Sequence, residues 1–411
     1  MSGLGNGGFL KTTGIKFNDT AVLDAFGRLR VTSPFTVFDF KPLYDKGSFV
    51  FDEVVFGTSS SVHNVEKPSI DLTVSTANDY VIRQTKSHNN YSPAKSMVYV
   101  ITASHFDIQS NIIKRIGAII SSFSVPHNVS NGLFFESNGV DGYVSVNVVS
   151  NGATNSVPQS LWNLDTMDGT GPSGINVDWS KGHIFHIDFQ WLGFGRVRFG
   201  LNIGGQLMYI HEFNHSNIVD KPYISVSNLA VHYSIRSFGG PGFLSTICSA
   251  VFIENSSEVI GKNRAISNGI TAFNASASGT DYAVLGLSLK NTTHDASIII
   301  EKLNILITTN DNFRYSLCLN PTIAGTFTFS DLSDSVVRAA IGATANTVSN
   351  RGLIIDEAYG SQISGLSLSN VSNALRLGHT IAGVMDRLVL VLTPLANNMS
   401  VFASITWREL I

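Results

Sequence analysis

The chain has 411 residues, a mean hydropathy of +0.16, and 43% hydrophobic against only 14% charged residues. Lysine and arginine number 27 against 30 aspartate and glutamate, a formal net charge of −3 that offers no electrostatic pull for nucleic acid or an anionic membrane. No apolar run approaches the roughly 18 residues of a membrane-spanning helix. Low charge with many Ser, Asn, Thr and Gly suits an all-β protein that buries its surface against other subunits.

Residues 1–48 read as an extended N-terminal arm. Gly3, Gly5, Gly7 and Gly8 oppose regular structure at the start. The stretch Asp24-Ala-Phe-Gly-Arg-Leu-Arg30 is short, turn-rich and basic, and Val31-Thr-Ser-Pro34 cannot continue as a helix into its proline. Met1–Leu10 has no basic segment followed by an apolar run, so no signal peptide is expected.

Residues 49–254 show strand after strand, from Phe49–Phe56 to Ile247–Ile253, separated by Gly, Asn, Ser and Pro clusters. That rhythm predicts a sandwich or barrel rather than parallel α/β units. The organising stretch is His183–His215. In it Phe185, Ile187 and Phe189 alternate with His186 and Asp188, and Gly204-Gly205 suits a two-residue hairpin. It predicts a three-stranded meander. Residues 255–280 read as a linker or inter-domain strand pair, and residues 281–411 as a C-terminal β-sandwich. Ser333–Ile341 reads as one short helix, capped by Ser333 or Asp334. The expected fold is therefore all-β: two consecutive antiparallel sandwiches behind an arm.

Several patterns suggest chemistry, and each has a plainer reading. His211-Glu212-Phe213-Asn214-His215 satisfies H-E-x-x-H, which binds zinc when a helix brings both imidazoles to one face. Here a strand precedes it, and in a strand positions i and i+4 stand about 13 Å apart. His183 and His186 fall on opposite strand faces. Asp188 and Glu212 could approach across neighbouring strands as a carboxylate pair, although solvent-facing or hydrogen-bonded strand positions are their more ordinary reading. Gly193-Phe-Gly195 and Gly239-Gly240-Pro-Gly242 lack the following helix a phosphate loop needs, and no G-x-S-x-G elbow occurs. Cys248 and Cys318 read as buried small hydrophobes. No catalytic residue, cofactor or metal ligand is assigned, and an enzyme is not expected.

Two resemblances bear on function. The meander "HIFHIDFQWLGFGRVRFGLNIGGQLMYIHEF" resembles the closing strands of concanavalin A-like (laminin G-like) jelly rolls over about residues 50–250. The arm "DAFGRLRVTSPFTVFDFK", with "LNPTIAGTFTF" and "SITWREL", is similar to a family of virion structural proteins of tailed phages and large DNA viruses. That second resemblance implies a non-enzymatic particle component: minor capsid, decoration, tail or fibre. Such a component would be made in the host cytoplasm and would contact other virion proteins as a homo-oligomer, a trimer included. Phe26, Arg28, Arg30 and Phe35 are the expected interface anchors, since aromatic and guanidinium groups dominate such contacts; the plainer alternative is an arm that covers its own domain. The jelly-roll resemblance implies the alternative function, a lectin-like module that binds a host glycan through exposed Trp or Tyr beside polar side chains.

Overall fold

The computed structural model describes residues 23–30, 33–254, 261–309, 311–361, 366–369 and 376–410. They form two antiparallel β-sandwiches in series, and helix among them is confined to the 3₁₀ turns Gln159–Leu161 and Asn291–Thr293. The all-β, two-sandwich architecture expected from the strand rhythm is the architecture found.

In the first sandwich one sheet runs in the order Gln206–Phe213, Val197–Ile203, His183–Phe189, Met97–Ser104, Gly242–Glu254, Ser69–Val74, Ser60–Asn64. The facing sheet runs Ala153–Pro158, Tyr143–Ser150, Val129–Asn138, Ile112–Ser121, Ala230–Ser237, Tyr80–Thr85, Phe51–Phe56. Neighbours far apart in sequence make this a jelly roll, not a simple meander. The inner faces follow from period-2 alternation: Phe185, Ile187 and Phe189 point inward with Phe199, Leu201 and Phe135. Phe135 meets Phe185 and Phe199 edge-on at 5.0 and 5.2 Å. Each such fully buried side chain contributes about 1.5–3 kcal/mol.

The meander is as its residues foretell. Gly204 and Gly205 have φ of +61° and +80°, the left-handed pair that a tight hairpin demands. At Gly117 the neighbouring strand Val129–Asn138 leaves no room for a side chain, because a Cβ would stand 2.4 Å from the Leu133 carbonyl oxygen.

The second sandwich has one sheet ordered Lys262–Ser267, Met399–Leu410, Ser297–Ile307, Leu366–Ser369, with Phe273–Ala275 also on Met399–Leu410. Its partner sheet runs Ser330–Asp331, Val337–Ile341, Tyr282–Leu289, Arg387–Pro394, Asn312–Leu319, Leu353–Ser361. Trp407, wholly buried, anchors the core between them.

Three expectations change. The Ser333–Ile341 helix is absent: Val337–Ile341 is a strand paired with Tyr282–Leu289, and Asp334 has φ +50° in the turn before it. Its Val-Val pair and inward Val337 and Ala339 fill a strand site better than a one-turn helix. Within the 255–280 linker, Lys262–Ser267 and Phe273–Ala275 are strands of the second sandwich, because the long strand Met399–Leu410 has unpaired length to offer them. Cys318 is buried, but Cys248 is only half-buried, and both are free thiols.

Candidate functional site: a plugged sheet face and the groove beside it

The outward face of the meander carries Asp188, Arg198 and Glu212 in register across three strands. Asp188 and Glu212 are therefore two strands apart, not neighbours, and Arg198 stands between them. Asp188 is fully buried and saturated: Ser96 Oγ donates to Oδ1 at 2.5 Å, while Arg30, Arg198 and Tyr209 Oη donate to Oδ2 at 2.5, 2.5 and 2.7 Å. The Arg198 guanidinium also lies over the Tyr209 ring, 4.0 Å from its centre. Glu212 pairs with Arg196 at 3.1 Å. A buried carboxylate held by two guanidinium groups and two hydroxyls is a poor general acid or nucleophile.

What buries this face is the chain's own arm. Leu23 and Leu29 bridge to form a small hairpin, with Gly27 at φ +77° in its turn. Asp24 builds it, its Oδ1 accepting from the backbone N–H of Phe26 at 2.9 Å and of Arg28 at 2.7 Å, while Arg28 Nε donates to Oδ2 at 2.7 Å. The meander arginines hold the hairpin by its carbonyls: Arg198 on Leu23 at 2.8 Å and Arg196 on Ala25 at 3.2 Å. Burial drives the Asp24 carboxyl upward, but the hydrogen bonds from Arg28 outweigh it and the net shift is down. Glu254, at the end of the strand Gly242–Glu254, is pushed up to about 7 by burial and by the Asp24 carboxyl beside it. Strand Pro34–Phe40 then pairs with Gly242–Glu254 in the same chain.

The four expected interface residues accordingly divide. Arg30 is committed to Asp188, and Arg28 to Asp24 while remaining largely exposed. Phe26 is partly buried at the hairpin turn, with the Arg28 guanidinium 4.6 Å from its ring centre. Phe35 is 40% exposed on the added strand. Residues 1–22, where the rest of the arm lies, are outside the described residues.

Where the hairpin turn meets the Trp191–Gly195 turn, an open groove of 370 Å³ remains. Phe26 and Phe194 supply its aromatic faces, and Gln190, Arg196, Asn214 and Ser216 its polar rim. His215 forms one wall, stacked on Tyr223 at 4.1 Å and 7°, with Nδ1 2.7 Å from the Gly195 carbonyl. Burial lowers its basicity, and that of His211 to about 4. His211 sits on the strand with Nδ1 accepting from Asn163 N at 3.1 Å, so the H-E-x-x-H histidines serve separate structural contacts. Among the described residues no group of three such side chains is arranged to hold a metal ion.

No family model and no curated protein matches the chain. Solved structures similar to it include the Bacillus licheniformis β-glucanase (10% identity, TM-score 0.36, 53% of this chain and 98% of that one). Two others are the legume lectin-like domain from Entamoeba histolytica (11%, 0.33, 55% and 100%) and the Emp46p carbohydrate recognition domain in its potassium-bound form (9%, 0.34, 53% and 96%).

The groove was not legible beforehand. The jelly-roll resemblance directs attention to Trp or Tyr, whereas the aromatics of this groove are phenylalanines, and one of them comes from the arm 168 positions before the other (Phe26 to Phe194). Only docking of the hairpin brings them together.

Proposed function

We propose that the protein is a non-catalytic carbohydrate-binding component of a virus particle, with the Phe26–Phe194 groove as its sugar site. The supporting observation is the make-up of that groove: aromatic faces for the C–H face of a pyranose, rimmed by amide and guanidinium donors for its hydroxyls. The sealed Asp188 beside it supports binding without hydrolysis. A glycan array with the full chain tests this. A retained ligand should lose about tenfold or more in affinity on Phe194→Ala and on Asn214→Ala, as expected for removing a stacking face or a hydrogen bond. Absence of binding to any sugar removes the proposal.

A purely structural role in the particle is favoured by a different observation. The sheet-edge strand Leu353–Ser361 exposes Leu353, Ile354 and Tyr359, and the edge strand Phe51–Phe56 exposes Val55 and Phe56. Such edges accept a strand from a neighbour. Removing residues 1–22 leaves the hairpin and these edges in place. Unchanged native mass and unchanged incorporation into particles would exclude the arm as an assembly element.

A further inference from the structure

In the second sandwich, three adjacent strands carry Arg338, Ser288 and Arg387 at one level. Arg338 pairs in register with Ser288, and Ser288 with Arg387 on its other side. Residues at one level of neighbouring strands share a face, and strands lie about 4.8 Å apart, so the two arginine Cα atoms stand roughly 10 Å apart across a small side chain. That face points outward, because Leu287 and Leu289, which alternate with Ser288, belong to the core. The turn Thr380–Val384 roofs it, tied by Thr380 N to Val384 O at 2.9 Å and Val384 N to Thr380 Oγ1 at 3.0 Å. Between them is an open cleft of 410 Å³, lined by both arginines together with Asn291, Asn320 and Thr380.

The arginines of this cleft lack the ion pairs that others in the fold make. Elsewhere Arg30 and Arg198 are matched to Asp188, Arg83 to Glu53, Arg115 to Glu136, and Arg314 and Arg351 to Asp281. Arg338 and Arg387 form no ion pair among the described residues. Arg338 lies 5.7 Å from the centre of the Phe329 ring, and its buried Nε–H meets no acceptor among the described residues. Asp331, opposite Arg338 in the ladder, is exposed and makes no ion pair with it. Asp386 also lines the cleft, but Asn320 Nδ2 holds one of its oxygens at 2.7 Å and the Gly378 N–H the other at 3.0 Å. With two arginines against the one Asp386 carboxylate, the lining keeps an excess of positive charge, and planar guanidinium forks match the spacing of paired anionic oxygens.

We infer that this cleft is an oxyanion site, taking the carboxylate or sulfate of an acidic saccharide or the same group as a free anion. Arg338 and Arg387 grip the anion from two sides, and Asn291 and Thr380 offer neutral partners beside it. The inference stands apart from the first-sandwich groove and does not depend on it.

Calorimetric titration of the full chain with sulfate, with an oligogalacturonate, and with the methyl ester of that oligosaccharide tests it. Sulfate and the acidic sugar should bind at about millimolar Kd, compete with one another, and weaken as salt rises. The neutral ester should not compete. Arg387→Ala, at an exposed position, should weaken both anions about tenfold, with partial recovery in Arg387→Lys. Phe194→Ala should leave anion affinity untouched, which separates this site from the groove. Binding of sulfate alone assigns the cleft to free anions. The inference falls if neither anion binds, if the ester binds as well as the acid, or if Arg387→Ala and Arg338→Ala both leave affinity unchanged.

Discussion

Acidification should loosen the seam between the two sandwiches, and His88→Phe should remove one histidine's share of that loss. The seam brings together His88 and Phe123 of the first sandwich with His294 and His379 of the second. Ring centres are 5.0 Å apart for His88–His379, 5.2 Å for His294–His379 and 5.8 Å for His88–His294. Phe123 lies against His294 at 4.8 Å and His379 at 5.2 Å. His88 and His379 are each 1% exposed; among the described residues neither His88 nitrogen has a partner, and the His379 ring has only the Thr380 carbonyl, at 2.7 Å from Nδ1.

Burial, with the other two imidazoles close by, holds His88 well below the ordinary histidine range. Burial lowers His379 as well, opposed by its Thr380 hydrogen bond and by Asp386 and Asp295. Lys86 and Asp52 also face the seam: the Lys86 carbonyl accepts from His379 N at 3.0 Å, and Asp52 from Ile381 N at 2.7 Å. Arg376 lies close by, lining the same cavity as Lys86 and Asp386.

Both shifts are downward, so the folded state refuses protons that the unfolded chain accepts. Stability is whole above about pH 6.5 and falls below it, by about 1.4 kcal/mol per pH unit for each such histidine, until the folded-state value is reached. His88 alone accounts for one such increment, and His379 for up to a second. Urea midpoints followed by tryptophan fluorescence from about pH 8 to about pH 5 measure the slope. In His88→Phe, which keeps the ring and removes the proton site, the slope should drop by about 1.4 kcal/mol per unit. An identical slope in wild type and variant would refute the assignment.

Two further outcomes follow from the arm. Asp188→Asn strips the charge shared by Arg30 and Arg198, and should cost roughly 3–5 kcal/mol in global unfolding and release the Leu23–Arg30 hairpin to hydrogen exchange; a loss under about 1 kcal/mol would mean that solvent already screens the cluster. Glu254 is raised to about 7 from an ordinary 4.5, so the docked arm favours its protonated form: its contribution is present at low pH and is lost as pH climbs from 4.5 through 7. Glu254→Gln should therefore keep exchange in the hairpin slow at alkaline pH, and equal exchange in variant and wild type would count against the Asp24–Glu254 contact.

Local pattern was enough for much of this protein. Alternation in His183–Phe189 and the Gly204-Gly205 turn specify a meander with Phe185, Ile187 and Phe189 inward, because strand period and glycine φ are properties of a few consecutive residues. Strand geometry also dissolved the H-E-x-x-H match before any contact was known. Where local preference was weak, partners decided. Val337–Ile341 became a strand because Tyr282–Leu289 had an open edge, and Lys262–Ser267 joined a sheet because Met399–Leu410 is long enough to hold it.

The sites belong wholly to tertiary structure. Arg30 meets Asp188 across 158 positions, Phe26 meets Phe194 only through the docked hairpin, and Arg338 faces Arg387 only because Ser288 pairs with both. Composition established that the chain has low charge, and period-2 alternation that it is a β protein. Register between distant strands, which no local preference encodes, determined where its few unmatched charges and exposed rings converge.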